Sequence, residues 1–119
     1  MYHLVWIPKY RHTVFVEPYR EDMKAIIHKI GYDYDLDIQE LEIPEDNMHM
    51  VIKGEPKTDP SHVMQVIKSI SARAFFKLYP EIRKRYFFLG EGKLWTQSYF
   101  VETIGNAKEE TISNSFKTN

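Results

Sequence analysis

The sequence contains no cysteine. This absence excludes disulfide bridges, thiolate metal ligands and cysteine nucleophiles, and it fits a reducing compartment. The sequence also lacks any apolar run near the roughly 20 residues of a membrane-spanning helix, and its N-terminus lacks the charged-then-apolar order of a secretory signal. We therefore expect a cytoplasmic protein with no membrane partner.

The chain has little net charge for its size, with a formal charge of -1 over 119 residues. Its length suits one domain spanning residues 1–119. The charge is unevenly distributed, because residues 68–93 contain seven basic side chains and only two acidic ones. This segment could therefore attract a polyanion, although the overall balance does not.

Common catalytic signatures are missing, since there is no Gly-rich phosphate loop, no nucleophile-elbow serine and no pair of histidines at i, i+4 on a helix. Residue patterns do indicate a fold. They predict strands at 2–7, 35–43, 47–52 and 95–104, helices at 18–30 and 60–78, a connector over 81–92 and a short last helix from 106. This order predicts an α+β, ferredoxin-like split β-α-β sandwich, with an antiparallel sheet, helices on one face and a C-terminal helix.

Local signals mark where several elements begin, end or deviate. Gly31 suits the cap after the first helix, and Asp59 with Pro60 suits the start of the second. The alternation of the second strand changes phase at Gln39 and Glu40, which indicates a β-bulge. These signals set the expected limits of the elements.

The strongest candidate for a chemical site is the start of the third strand. Successive side chains of a strand point to opposite faces, so Met48 and Met50 would face the core, while Asn47 and His49 share the other face about 7 Å apart. A neutral imidazole and an amide oxygen at that spacing could ligate one hard divalent cation. The alternative is a half-buried strand whose exposed face happens to carry a histidine.

A second candidate site consists of basic residues interleaved with aromatic ones. Basic side chains hold phosphates and aromatic faces stack on unpaired bases, so this mixture suits single-stranded nucleic acid. The alternative is a solvated helix face beside core aromatic residues such as Phe75, Phe76 and Tyr79. The candidates for DNA binding are Lys9, Tyr10, Arg11, Arg73, Arg83, Lys84, Arg85 and Lys93.

Four segments of the sequence together resemble one protein family. They read YHLVWIPK at 2–9, PEDNMHMVI at 44–52, GKLWTQSYFV at 92–101, and GN at 105–106 through ETI at 110–112. Their order and content are similar to the motifs of the single-tyrosine HUH transposases (TnpA-like) of bacterial and archaeal insertion sequences. Several spaced motifs in the right order are far more specific than any one of them.

The resemblance implies a ferredoxin-like domain that forms a homodimer and acts on single-stranded DNA, often at a hairpin near the end of the element. In the family, a tyrosine on the last helix attacks a phosphodiester and forms a 5′-phosphotyrosine link. A divalent cation, Mg²⁺ or Mn²⁺, is held by the two histidines of a His-apolar-His strand and by a polar residue one turn after the tyrosine.

The sequence departs from the family pattern at the metal-ligand and nucleophile positions. The metal ligands correspond to Asn47, His49 and Asn119, and the nucleophilic tyrosine corresponds to Ser115, so that Ser115 and His49 are the catalytic candidates. A serine hydroxyl is much less acidic than a phenol and is a poor substitute nucleophile, and an amide in place of an imidazole should weaken metal binding. We therefore expect a transposase-family protein that still binds single-stranded DNA hairpins but is impaired in strand cleavage.

Two alternatives remain open at the level of the sequence. The chain could be an active transposase that uses an unexpected nucleophile, such as Tyr99 or Tyr86. It could also be a dimeric ferredoxin-like binding module without a role at DNA, which the net charge of -1 favours. The tail after Ile112 fits natural divergence, truncation or a shifted reading frame.

Overall fold

The computed structural model describes residues 1–9, 16–44, 46–54, 58–88 and 93–105. These residues form one four-stranded antiparallel sheet, in the order β2-β3-β1-β4, and three helices. The elements in chain order are β1 (Tyr2–Trp6), α1 (Tyr19–Asp33), β2 (Asp37–Glu42), β3 (Met48–Lys53), α2 (Pro60–Leu78), α3 (Pro80–Phe88) and β4 (Phe100–Thr103). This arrangement confirms the predicted ferredoxin-like α+β fold. The predicted last helix, from residue 106, lies outside the described residues.

The core lies between the sheet and the helices α1 and α2. On β1 and β3 the side chains that face the helices, Leu4, Trp6, Met48, Met50 and Ile52, are all buried. The alternation predicted for β3 is therefore confirmed, because every second side chain of this strand enters the core. The opposite face of the sheet, which we call the distal face, carries the intervening side chains of each strand.

The end of α1 differs from the sequence expectation. Gly31 lies inside the helix rather than at its cap, and a Cβ atom there would come within 2.7 Å of Ile38 Cδ1. The left-handed conformation expected of a helix-ending glycine belongs instead to Asp35, with φ 56°. The glycine thus allows the close approach of the Ile38 side chain of β2 to α1. The bulge predicted in β2 is confirmed, since the pairing with β3 shifts between Ile38 and Glu40.

The start of α2 agrees with the prediction, because the Asp59 side chain accepts a hydrogen bond from the backbone N–H of Ser61 at 3.0 Å. The connector predicted after α2 is wrong, since α3 occupies most of it. Pro80 suits the first turn of a helix, and the basic residues of α3 are good helix formers. Apart from that proline, however, Ile82 is the only apolar residue of residues 80–85. A pattern based on apolar periodicity therefore missed this helix.

The last predicted strand is also shorter than expected and is interrupted. Trp95 forms only an isolated bridge with Pro8, and regular pairing of β4 with β1 starts at Phe100. Between them the chain leaves the sheet, and the Lys68 ammonium group of α2 binds two backbone carbonyls of this segment, those of Thr96 at 2.6 Å and Gln97 at 3.1 Å. Among the described helices, none has the length and apolar character needed to cross a membrane.

Candidate metal centre and nucleic-acid interface

The two metal-ligand candidates, Asn47 and His49, lie at the start of β3. His49 is half-buried on the distal face, and Asn47 directly precedes the strand. The Asn47 Nδ2 atom donates a hydrogen bond to Asp46 Oδ1 at 2.6 Å, which orients the amide. Its Oδ1 atom is buried and accepts no hydrogen bond from the part of the chain that the structure describes. A buried amide oxygen without a donor is a candidate ligand for a cation.

The structure adds two side chains that the sequence analysis missed, His3 of β1 and Glu102 of β4. The His3 Nε2 and His49 Nδ1 atoms lie 3.1 Å apart, and the two rings are inclined by only 21°. Glu102 pairs with His3 across the strands, with its carboxylate 3.8 Å from His3 Nδ1. The only indication of a role for His3 in the sequence was its position at the polar start of an otherwise apolar strand. The contact itself depends on strand register.

Electrostatics favour the neutral form of both imidazoles. Burial lowers the pKa of His3 below 6.5, although the nearby Glu102 carboxylate opposes this shift. Burial is also the largest cause that lowers the pKa of His49 below 6.5. Repulsion from His3 lowers this pKa further, and the Asp46 carboxylate raises it. A neutral imidazole has a lone pair for a metal ion, which a protonated one lacks.

These residues fit part of a coordination shell for a divalent cation. Imidazole nitrogen and amide oxygen are both accepted ligands, and the buried Oδ1 atom of Asn47 is oriented by Asp46. Within the described residues, however, no three His, Asp or Glu side chains are grouped as a metal site would require. The third predicted ligand, Asn119, and the predicted nucleophile position, Ser115, lie outside the described residues.

The second candidate site is a groove beside α2 on the helix side of the sheet. It has a volume of about 790 Å³ and is formed by one face of α2, by α3 and by residues 93–99. Its basic lining residues are Lys68, Arg73, Lys77, Arg83 and Lys93. No acidic side chain among the described residues lines the groove, so it presents a surface of positive potential.

Several interactions hold residues 95–99, which form the outer wall of the groove, to α2. The Trp95 indole N–H donates to the buried Ser71 Oγ at 2.9 Å. Lys68, besides its bonds to the two carbonyls, lies 5.8 Å from the centre of the Tyr99 ring, and the Tyr99 hydroxyl is 2.8 Å from Ser61 Oγ. Burial lowers the pKa of Lys68. Lys68 therefore serves the structure of the groove.

The structure brings together part of the predicted DNA-binding set. Arg73, Arg83 and Lys93 line the groove, whereas Lys84 and Arg85 are exposed on α3 but do not line it. Lys77 joins the groove, although the candidates did not include it. Lys9 is exposed three residues after the end of β1, and its backbone N–H donates to the Leu94 carbonyl at 2.8 Å. The candidates Tyr10 and Arg11 lie outside the described residues.

The aromatic residues of α2 belong to the core rather than to a stacking surface. Phe75 and Phe76 are buried, and Tyr79 packs edge-on against Tyr19 with ring centres 4.8 Å apart. The Tyr79 hydroxyl donates to the carboxylate of Asp22 on α1. This hydrogen bond, with a smaller effect from burial, raises the pKa of Tyr79 to about 12. Of the aromatic residues that line the groove, Phe76 and Trp95 are buried and Tyr99 is 37% exposed, so among them Tyr99 offers the most accessible face for base stacking.

Tyr99, one of the alternative nucleophiles, lies apart from His49. Its hydroxyl contacts Ser61 of α2 on the helix side of the sheet, whereas His49 occupies the distal face. The geometry therefore does not associate Tyr99 with the imidazole. The side chain of Tyr86, the other alternative, lies outside the described residues.

A split β-α-β sheet with metal-ligand candidates on its distal face and a cationic groove on its helix side defines a candidate nucleic-acid-processing domain. The family model described as "Transposase IS200 like" matches residues 1–115. The chain therefore belongs to the IS200-like transposase family.

Individual relatives agree with this assignment. ISDra2 transposase TnpA of Deinococcus radiodurans is 31% identical over 103 residues, which cover 87% of this chain and 71% of that protein. The transposase for insertion sequence element IS200 of Salmonella typhimurium is 28% identical over 104 residues, which cover 87% of this chain and 66% of that protein. The chain thus spans about two thirds of the length of these relatives.

Solved structures show the same fold. The crystal structure of a proposed transposase from Deinococcus radiodurans R1 aligns with a TM-score of 0.75 at 29% identity, covering 98% of this chain and 88% of that one. A REP-associated tyrosine transposase bound to a REP hairpin aligns with a TM-score of 0.62 at 15% identity, covering 99% of this chain and 67% of that one. At that identity the second match is evidence for the fold alone.

Proposed function

We propose that this chain binds single-stranded DNA carrying a hairpin, in the transposition of an insertion sequence, and that it is impaired in strand cleavage. The observation that carries the binding function is the cationic groove beside α2. Three predicted DNA-binding residues, Arg73, Arg83 and Lys93, meet there without an acidic neighbour among the described lining residues. Guanidinium and ammonium groups neutralise phosphates, and this contribution dominates the affinity of proteins for nucleic acid.

The candidate cleavage site is on the distal face. His49 and Asn47 would hold a divalent cation, Mg²⁺ or Mn²⁺, together with Asn119 by its position in the family motif. When bound, such a cation would stabilise the negative charge that develops on a phosphate oxygen during strand cleavage. Cleavage by this chain should be impaired by Ser115 at the tyrosine position, because an unactivated serine hydroxyl is a poor nucleophile. Impaired cleavage follows from this substitution and from the amide of Asn47.

A homodimer is the second part of the proposal, with β4 as the pairing edge. β4 is an edge strand of the described sheet, and its Phe100 and Val101 side chains are 55% and 39% exposed. The other edge strand, β2, carries mostly acidic and amide side chains at its exposed positions, which discourage pairing. Antiparallel pairing of β4 with its copy would cover the apolar side chains. Sedimentation should show a dimer that Val101→Lys converts to monomer, while a monomeric unmodified chain would contradict this part.

Hairpin binding is tested with a fluorescent single-stranded oligonucleotide that folds into a short hairpin. We expect Arg73→Ala and Arg83→Ala each to weaken binding and to reduce the slope of log K against log salt by roughly 0.7–0.9 for each phosphate that is no longer neutralised. Lys29→Ala is the matched control, because Lys29 is an exposed cation on α1, away from the groove. If both arginine variants bind like the Lys29 variant, the groove is not the DNA site. If the unmodified chain fails to bind at low salt, where phosphate contacts are strongest, the proposed DNA-binding function is wrong.

Impaired cleavage is tested by restoring the family residues. We expect no covalent protein–DNA adduct from the unmodified chain with Mn²⁺, and an adduct from the double variant Asn47→His, Ser115→Tyr. The single variant Asn47→His is the control, because it restores a metal ligand without a phenol. A robust adduct from the unmodified chain, followed by mass spectrometric mapping to another residue, would show that the chain uses an unexpected nucleophile.

A further inference from the structure

Three polar side chains of the distal face form a continuous row across β4, β1 and β3. Glu102 lies directly opposite His3 in the pairing of β4 with β1, and His3 is diagonal to His49 in the pairing of β1 with β3. Diagonal neighbours on one face of a sheet are within reach of each other when their side chains are large. The row therefore links the metal-ligand candidate to a carboxylate two strands away.

The two imidazoles meet edge to edge. Their ring centres are 5.3 Å apart and the rings are nearly parallel, while the His3 Nε2 and His49 Nδ1 atoms are 3.1 Å apart. The difference between the two distances is about two ring radii, so the nitrogens lie almost on the line that joins the rings. This is the geometry of an N–H···N hydrogen bond. One ring must donate and the other must accept, because neutral imidazole has a single N–H group.

Two proton arrangements satisfy this hydrogen bond, and they differ in which nitrogen of His49 carries the proton. If His49 donates, its proton is on Nδ1 and its Nε2 atom is the unprotonated nitrogen. If His3 donates, the proton of His49 must be on Nε2. Only the first arrangement gives His49 a lone pair on Nε2, since its Nδ1 atom is already occupied by His3.

Glu102 selects between the two arrangements. Its carboxylate lies 3.8 Å from His3 Nδ1, a distance at which a negative charge attracts an N–H group and repels a lone pair. The side chain of His3 is only 14% exposed and that of Glu102 is 44% exposed, so water screens this interaction in part. The proton of His3 is therefore favoured on Nδ1, which makes Nε2 the acceptor of the hydrogen bond from His49.

We propose that His3 and Glu102 are positioning residues that fix the tautomer of His49, so that its Nε2 atom is the ligand for a divalent cation. The proposal rests on the metal-binding role given to His49 in the proposed function. It assigns to His3 and Glu102 a positioning role rather than the role of a metal ligand. Outer partners that orient a ligating histidine commonly affect metal affinity about 10- to 100-fold.

The tautomer is measured directly, on the protein without metal, by long-range ¹H–¹⁵N correlation spectra of the histidine rings, with His49→Gln to assign the signals. We expect the proton of His49 on Nδ1 in the unmodified chain. In Glu102→Gln and His3→Leu we expect this preference to be lost, and in His3→Gln to be partly rescued, because a glutamine carbonyl can accept the same hydrogen bond. His28→Leu, at an exposed position of α1, is the matched control.

A proton on His49 Nε2 in the unmodified chain, or an unchanged tautomer in Glu102→Gln and His3→Leu, would overturn the proposal. Glu102 is 44% exposed on an edge strand, so its substitution by glutamine should leave the fold intact. Calorimetric titration with Mn²⁺ separates this inference from the proposed function. We expect roughly 10- to 100-fold weaker Mn²⁺ binding in Glu102→Gln. If the tautomers behave as expected but the unmodified chain does not bind Mn²⁺, the metal role of His49 fails while the tautomer control stands.

Discussion

Ser71→Ala should destabilise the protein mainly through the lost hydrogen bond from Trp95. Ser71 is fully buried in α2, and its Oγ atom accepts the Trp95 indole N–H at 2.9 Å. Trp95 itself is 5% exposed, so water cannot replace the lost acceptor. The hydroxyl also donates to the Lys68 carbonyl, at the longer distance of 3.4 Å. The substitution removes little volume, and its main effect is to leave one buried donor unsatisfied.

The expected cost follows from this unsatisfied donor. Burying an N–H group without an acceptor costs about 1–3 kcal/mol, whereas a weak and long hydrogen bond adds little. For a chain of this size that loss lowers Tm by roughly 3–15 °C. The same change should loosen residues 93–97 from α2, because Trp95 anchors them to this helix.

Urea denaturation followed by tryptophan fluorescence measures the free energy of unfolding directly. Ser69→Ala is the matched control, because Ser69 lies on the same helix but is exposed, and its hydroxyl donates only to the Val66 carbonyl at 3.3 Å. We expect the control to change the free energy of unfolding by no more than about 0.5 kcal/mol. Equal effects of the two substitutions would refute the role given to the indole hydrogen bond.

Two further predictions concern charged or titratable groups. Burial lowers the pKa of His3 and His49, so below pH 6.5 the unfolded chain binds more protons than the folded chain. We therefore expect the full contribution of these groups to stability above this pH and a loss of stability on acidification. Urea midpoints measured from pH 7.5 to 5 should fall less in His49→Gln than in the unmodified chain. Lys68→Met should lower the free energy of unfolding by about 1–2 kcal/mol through its lost bonds to two backbone carbonyls. Lys77→Met, on the same helix, should be near neutral, and equal losses would contradict the structural role of Lys68.

Local patterns predicted much of the fold because the responsible interactions are local. The alternation around Met48 and Met50 identifies the core face of β3, and Asp59 with Pro60 identifies the start of α2. The family resemblance predicted the transposase family, which the family match and the relatives confirm. The chain is similar to this family along most of its length, so its motifs carried more information than its composition.

Other features could not be predicted because they depend on residues that are distant in the sequence. His3 and His49 are 46 positions apart, and only the register of β1 against β3 brings their rings together. The segment just before β4 is bound by the ammonium group of Lys68, whose carbonyl partners are 28 and 29 positions away. Among residues 80–85 of α3 only Ile82 packs against the core, so apolar periodicity gave too weak a signal to predict this helix.

The central claim is that the chain binds hairpin DNA without cleaving it, and one reaction tests both halves. The unmodified chain is incubated with a labelled hairpin oligonucleotide and Mn²⁺ at low salt, and the sample is divided between a native and a denaturing gel. We predict a retarded complex on the native gel and only free oligonucleotide on the denaturing gel. A covalent adduct that survives denaturation, or the absence of any complex on the native gel, would contradict the claim.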